Sequence, residues 1–588
     1  MNRAGVDAYA GMSSPTSSCL NVRFWYRRFA YRFGGSAPPA VAGCPPCREV
    51  FARLNMKRTK GVVVRRFVVT GTLLCVVSVG LAACPRSVSA SSPPEPQLQV
   101  SWGRCSDPTL TAAHAQCGSL RVPLDYERPS GSTIGLALAR VQHTSPASQY
   151  QGVMLTNPGG PGASGLQLAT LGQFVPNHVG ERYDWIGFDP RGVGSSTPAL
   201  SCRPDYFAGD RPPYVPRRPA TLRKWLSRSK AYATACEANA AQLLPHMKTT
   251  DSARDMDSIR IALRAKRISY YGLSYGTYLG EVYATLFPSH VRRMVFDSSV
   301  DPRHVWYKAN LAQVVAIERN IKIWFAWLAE YDDVYHLGTT ERAVERLFYR
   351  QVAALKKHPA QGVLGPDEWE DAFYAAAYTQ SVWTLFGSFF SSWIHQHNAG
   401  GVIAAYQAFD TPGNDNAYAA NNAVVCTDAP WPQKWSTWAK DFWRTYRTAR
   451  FATWNTAWYS APCLYWPAAA GPRVEVKGHG VPVLLIDETL DAATPYEGSL
   501  TVRTLFPRSS LLAEPGGTTH AGTLFGNACV DGHIAAFLAT GILPSRKAGR
   551  RADATCKPFP RPVPSGAGAT QTLSRGRPGL RPSALVHP

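Results

Sequence analysis

The chain alternates between two hydrophobic rhythms. Short apolar runs separated by glycine-rich turns and helical stretches occupy its middle and its later part, whereas helical spacing alone fills residues 303–478. Runs at 120–126 and 133–141, split by the turn cluster Arg128-Pro129-Ser130-Gly131, predict an antiparallel hairpin at a sheet edge. The runs at 153–156, 183–188, 268–271, 291–296, 483–486 and 509–512 read as further strands, in the parallel part of the sheet. An amphipathic helix is expected over 250–263, capped by Thr250 or Asp251, and another over 277–286, stopped by Pro288. Long aromatic-rich helices are expected at 317–331 and 369–393. Because the strand rhythm resumes after residue 478, the helical block reads as an insertion between sheet strands and not as a separate domain. The predicted fold is α/β, a mostly parallel sheet flanked by helices, with core segments 100–302 and 479–557, a mainly helical cap 303–478, and a basic, Pro/Gly-rich, disordered tail 558–588.

The beginning of the sequence adds a compartment. Basic residues from Met56 to Arg66 precede an apolar run that ends in Leu81-Ala82-Ala83-Cys84, so 56–83 reads as a signal peptide, too short to span a membrane. The L-A-A-C ending resembles a bacterial lipobox, which implies lipidation of Cys84 and a membrane contact made only through that anchor. Ordinary signal cleavage, giving a periplasmic or secreted soluble protein, is the alternative, and Arg65-Arg66-Phe67 faintly resembles a twin-arginine signal. Residues 1–55 precede a self-sufficient signal and read as an over-extended start, and the Pro/Ser-rich stretch 84–99 as a tether.

The formal charge of +22 suggests nucleic acid at first sight, but residues 1–83 alone hold 12 basic against 2 acidic side chains. With no recognition-helix, zinc-finger or RNA-binding aromatic signature, a nucleic-acid partner is not expected. After Cys84 come eight cysteines, an even number that suits an exported chain, and they allow roughly 105 connectivities. Sequential pairing gives Cys105–Cys117, Cys202–Cys236, Cys426–Cys463 and Cys529–Cys556; metal binding competes, but these cysteines are scattered and none forms a C-x-x-C.

The chemistry centres on Gly272-Leu273-Ser274-Tyr275-Gly276, a G-x-S-x-G between a predicted strand and a predicted helix. Such a turn is a nucleophile elbow, which holds the serine hydroxyl out at a helix N-terminus that favours developing negative charge. The loop Asn157-Pro158-Gly159-Gly160-Pro161-Gly162 follows a strand and exposes backbone N–H groups; it lacks the G-K-[ST] of a phosphate loop. Asp487, Glu488 and Asp491 follow one late strand, and His520 follows the next, the chain order of a Ser/acid/His triad on such a sheet.

Taken together, N-P-G-G-P-G-A-S-G (157–165), G-F-D-P-R-G-V-G-S-S (187–196), Y-Y-G-L-S-Y-G-T-Y-L-G (270–280), D-x-x-T-P (491–495) and the histidine loop resemble the secreted tripeptidyl and prolyl aminopeptidases of the α/β-hydrolase superfamily, and the C-terminal part is similar to their TAP-like domain. The resemblance covers about residues 100–557 and implies an α/β-hydrolase fold with a cap. It selects Asp491 as the triad acid, makes Asp189 and Arg191 structural, and implies an oxyanion hole of the Gly160 and Tyr275 amides. T-T-H-A-G departs from the family's glycine-flanked histidine. The expected function is an exported serine exopeptidase acting on peptide substrates with free N-termini, with no metal or organic cofactor. A carboxylesterase or lipase on the same triad is the alternative, and a non-catalytic binding protein the third. An aminopeptidase needs a buried carboxylate for the substrate ammonium. Asp428, in V-C-T-D, which resembles a C-x-D motif of the family, is the first candidate, and Glu368, in D-E-W-E-D, the second.

Overall fold

A computed structural model describes residues 98–209 and 211–566. The start 1–55, the signal 56–83, Cys84, most of the tether and residues 567–588 lie outside the described residues.

Ten strands form one sheet: β1 (Ser101–Arg104), β2 (Gln116–Pro123), β3 (Thr133–Val141), β4 (Gly152–Asn157), β5 (Tyr183–Phe188), β6 (Ile268–Leu273), β7 (Val291–Asp297), β8 (Val483–Glu488), β9 (Ser509–Glu514) and β10 (Ala554–Thr555). They lie in the order β1-β2-β3-β5-β4-β6-β7-β8-β9-β10. The first three strands and the β3/β5 pair are antiparallel, and every pairing from β5 to β10 is parallel. The run of strands changes direction between β4 and β6. In open α/β sheets such a reversal leaves a crevice at the strands' carboxyl ends, and here the glycine-rich loop and Ser274 flank it.

Neighbouring residues of the inner strands feed opposite faces. Leu155, Tyr270, Phe296, Leu485 and Leu511 join one core, while Met154, Tyr271, Val295, Leu484 and Leu512 join the other. That is why apolar residues stand at consecutive positions in these strands rather than alternating with polar ones. A third core, rich in Trp and Phe, lies within the helical insertion.

Several expectations change. β1 lies outside the predicted hairpin and forms the sheet edge; its S-W-G-R is mostly exposed and carries no apolar pattern. The helix expected at 250–263 is Thr249–Ala262, and neither Thr250 nor Asp251 caps it, because the Thr249 N–H donates to the Asp428 carboxylate at 2.6 Å. The single helix expected at 369–393 is broken into Pro366–Ala372, two short 3₁₀ turns and Trp383–Gln396. Tertiary partners claim carbonyls in the gap: Ala376 accepts from the Trp383 indole (2.8 Å), Ala377 from Asn320 (3.1 Å) and Tyr378 from the His520 N–H (2.8 Å). The disordered tail expected from 558 is held against the cap as far as Pro562, whose carbonyl accepts from the Trp327 indole at 3.0 Å, with Phe559 accepting from Gln380 at 3.2 Å. The four sequential disulfides form as expected.

Arg191 braces the turn after β5. Fully buried, it donates to both oxygens of Asp255 at 2.8 and 2.7 Å and to the carbonyls of Leu124 and His246. Asp189, two residues earlier, accepts from the Ser195 and Gly165 amides at 2.7 and 3.0 Å and from Ser164, so both residues are structural. Removing one partner of such a pair strands a buried charge. Asp255→Ala is therefore expected to cost about 3–5 kcal/mol in denaturant unfolding, and Arg191→Met with Asp255→Leu distinctly less than that. Equal losses in the single and double variants would refute the pairing as the cause.

Candidate active site

The serine sits on a turn that glycine makes possible by close approach of backbone to backbone. A Cβ on Gly276 would lie 2.5 Å from the Asn157 carbonyl, and one on Gly159 would lie 2.6 Å from the Leu273 carbonyl and 2.9 Å from the Ser274 Cβ. The glycine-rich loop and the elbow thus pack backbone on backbone. Ser274 itself carries the strain, with φ 55° and ψ −127°, a region that a residue with a side chain adopts only when its surroundings force it. Its N–H donates to the Asp297 carbonyl at 3.0 Å. The following helix, Tyr275–Leu286, begins at once, so the Tyr275 N–H has no acceptor within its own helix.

Ser274, Tyr275 and Gly160 line a cavity of about 140 Å³ whose other walls include Trp306, Tyr378, Thr494 and Asn455. His520 stands behind two of these walls. Its Nδ1 lies 2.7 Å from Asp491 Oδ2 and 3.4 Å from the Thr494 hydroxyl, its backbone N–H donates to the Tyr378 carbonyl, and the Tyr378 ring meets it edge-on at 5.7 Å. Only 5% of His520 is exposed, and Asp491 is fully buried. The second oxygen of Asp491 accepts from the Ala493 and Thr494 amides at 2.7 and 2.9 Å, so the carboxylate faces the ring in a fixed orientation. Its two competitors are engaged elsewhere: Asp487 accepts from Ser499, and Glu488 from the Thr519 amide.

Asp297 and Ser298, at the end of β7, were not anticipated. Beyond receiving the Ser274 N–H, they accept from the histidine loop, Ser298 Oγ from the Ala521 amide at 2.8 Å and Asp297 from the Thr523 amide and hydroxyl at 3.1 and 2.7 Å. From the cap, Arg319 and Asn320 donate to the Leu490 carbonyl at 2.6 and 2.8 Å. Thr494 belongs to the acid motif, and the remaining residues left no sequence signal because they act through distant contacts.

Neither candidate ammonium anchor lines the cavity. Asp428 accepts from the Thr249 amide and hydroxyl, both at 2.6 Å, and from the Trp306 indole at 3.2 Å. It stands behind Trp306 with its acceptors occupied, and burial pushes its carboxyl up to about 6. Glu368 is paired with Arg211 at 2.8 Å and accepts from the Gly365 amide, inside the cap. The cluster of metal-type ligand atoms among the described residues, Cys529, His533 and Cys556, has both sulfurs committed to a disulfide.

The family profile described as the α/β-hydrolase fold matches residues 152–401, and the one described as TAP-like protein matches 449–556. The chain is similar to a tripeptidyl aminopeptidase of Streptomyces lividans, 40% identical over 477 residues that cover 79% of this chain and 88% of that one. It is 30% identical over 523 residues to the serine protease Hip1 of Mycobacterium tuberculosis, covering 84% and 99% of the two chains. A carboxylesterase B of the same species is 30% identical over 468 residues, covering 76% and 89%.

Beneath the histidine loop lie acids without cationic partners. Burial pushes Glu488 up to about 9 and Glu514 up to about 8, and it raises Asp297 and Asp487 as well. Each binds its proton more tightly folded than unfolded, so its contribution to stability is whole below the ordinary glutamate value of 4.5 and is lost as pH rises through the folded value. Unfolding free energy should therefore fall between about pH 5 and pH 9. Glu514→Gln should flatten that slope by up to ~1.4 kcal/mol per pH unit over the lower part of the range. Denaturation at a series of pH values checks this, and an unchanged slope would refute it.

Proposed function

The chain belongs to the α/β-hydrolase family as a serine peptidase related to the tripeptidyl aminopeptidases, and from that premise we propose that it is an exported exopeptidase releasing short peptides or single residues from free N-termini. The observation that carries the site assignment is the His520–Asp491 contact of 2.7 Å behind the Tyr378 and Thr494 walls of the cavity that Ser274 lines from a strained elbow. Ser274 Oγ attacks the scissile carbonyl carbon while His520, through the ring nitrogen not held by Asp491, takes the serine proton. Negative charge gathers on the carbonyl oxygen, and the Gly160 and Tyr275 amides receive it. The tetrahedral intermediate collapses as the imidazolium protonates the leaving amine, which departs. A water activated by the same histidine then hydrolyses the acyl-enzyme. Asp491 keeps the imidazole in the tautomer that this requires and stabilises the imidazolium.

Export is supported by four disulfides, which persist in oxidising compartments. Lipidation at Cys84, with the membrane reached through that anchor, belongs to the same proposal; a soluble periplasmic or secreted form is its alternative. Among the described residues no helix is long and apolar enough to cross a membrane. Ester hydrolysis is the second reading, favoured by the similarity to a carboxylesterase B, since both reactions pass through the same acyl-enzyme.

A fluorophosphonate probe should label the native protein at one serine and fail on Ser274→Ala. Asp491→Asn should lower kcat by about 10⁴-fold with little change in KM. Absence of labelling in the native protein overturns the hydrolase site, and a small effect of Asp491→Asn overturns the acid assignment.

A further inference from the structure

The cavity beside Ser274 is lined in part by Asn455, which is 8% exposed and also lines a smaller space bounded by Arg211, Tyr214, Asp410 and Tyr459. The Asn455 amide donates to Asp371 Oδ1 at 2.6 Å and to the Tyr214 hydroxyl at 3.1 Å. With its NH₂ turned to the cluster, the residue has its carbonyl oxygen left for the cavity side.

Behind Asn455 positive charge is short. Arg211 donates to Glu368 and Asp371 at 2.8 and 2.6 Å, and Tyr214 donates its hydroxyl to Asp371 and its backbone N–H to Asp367 Oδ1 at 2.8 Å. Asp410 is 7% exposed; its Oδ2 lies 3.1 Å from Arg211 Nη1 yet has no hydrogen-bond partner among the described residues, and it faces the smaller space. Three carboxyl groups, Glu368, Asp371 and Asp410, thus share one guanidinium, with Asp367 beside them on the Tyr214 amide, and burial raises Asp367, Glu368 and Asp410 above the usual carboxylate range. Burying carboxylates without matching cations is costly, and a second cation arriving from the cavity would relieve it.

The acids that line the main cavity itself are already served. Asp301 is bound by Arg303 at 3.0 and 2.7 Å, and Glu497 is paired with Arg550 and 68% exposed at its side chain.

We propose that the Asn455 carbonyl, backed by Asp371 and Asp410, receives the N-terminal ammonium of the peptide substrate, and that this is what makes the enzyme count from a free N-terminus. The inference rests on the exopeptidase reading and supplies its anchor. The ammonium hydrogen-bonds to Asn455, and its charge favours the ionised form of the buried acids behind that residue, whose negative charge then replaces the water it gives up. A peptide blocked at its amine brings no charge and leaves the cluster as it was.

The experiment uses the full-length protein and a matched pair of tripeptide p-nitroanilides, one with a free amine and one N-acetylated. The ratio of their kcat/KM values should fall roughly 30-fold or more in Asp410→Asn and in Asn455→Leu, mainly through KM for the free-amine substrate. Glu318→Gln, a buried acid paired with Lys322 outside the cluster, should leave the ratio as in the wild type. Fluorophosphonate labelling of Ser274 identifies variants that remain folded. Should Asp410→Asn fail to label, Asn455→Leu, which leaves all four acids in place, decides alone. A wild-type ratio near one overturns the exopeptidase reading and the anchor with it. A large wild-type ratio that persists in labelled Asp410→Asn and Asn455→Leu overturns the anchor only.

Discussion

The end of β7 is where the site is held together. The Asp297 carbonyl accepts the N–H of the strained serine, the Asp297 carboxylate and the Ser298 hydroxyl accept from the histidine loop, and the Ser298 N–H donates to Ile486 at the end of β8. A strand paired on both sides cannot slide or tilt without breaking two ladders, so what is tied to its last residue inherits its rigidity. That rigidity matters because the elbow conformation is not one that Ser274 would choose alone, and because a displacement of about 1 Å between reacting groups can cost a hundredfold in rate. The loops that carry the serine and the histidine are thus referenced to one fixed point, although 246 residues of sequence separate Ser274 from His520.

The cap belongs to the same construction. Tyr378 accepts the His520 N–H from a segment where the helical pattern fails, while Arg319 and Asn320, from the long helix Tyr307–Glu330, grip the carbonyl before Asp491. An insertion that only covered the cavity would have no reason to break a favourable helix. Here the break frees carbonyls that the continuous helix would have consumed, and they are spent on the histidine loop and on Asn320. The cap and the triad loops therefore order each other.

What the sequence made legible follows from which interactions are local. The inner strands declared themselves because both of their faces are covered, and the elbow did so because a strand, a tight turn and a helix are contiguous. β1 carried no pattern, being short and mostly exposed. The failed helix at 369–393 shows the limit from the other side, since its residues are apolar and helix-compatible, while the distant Asn320 and His520 claim carbonyls within it. The acids are the clearest case. Sequence shows that Asp428, Glu368, Asp487, Glu488 and Asp491 exist, whereas their roles depend on which donor each one faces: Thr249, Arg211, Ser499, Thr519 and His520 respectively. Each of those donors lies at least 12 residues away, so spacing alone left three candidates open, and the motif D-x-x-T-P singled out Asp491, the one that faces His520.

Two ways of burying a carboxyl coexist in this protein, and their distribution follows from the backbone. Bracing positions use a matched guanidinium, as in Arg191 with Asp255 and Arg503 with Asp553. Around the histidine loop the acids instead accept backbone N–H groups: Glu488 from Thr519, Asp491 from Ala493 and Thr494, Asp297 from Thr523, and Asp531 from Leu524 and Gly526. These loops have neither helix nor ladder to absorb their amides, yet they are buried, and an unpaired buried N–H is as costly as a lost hydrogen bond. A carboxyl group offers two acceptor oxygens on a short stem, where a guanidinium offers only donors and would compete for the same carbonyls. The acid-rich floor of the site is therefore what irregular backbone requires when it is folded inward to carry a histidine, and burial raises Glu488, Asp297 and Asp531 above the usual carboxylate range, with no cation paired to them.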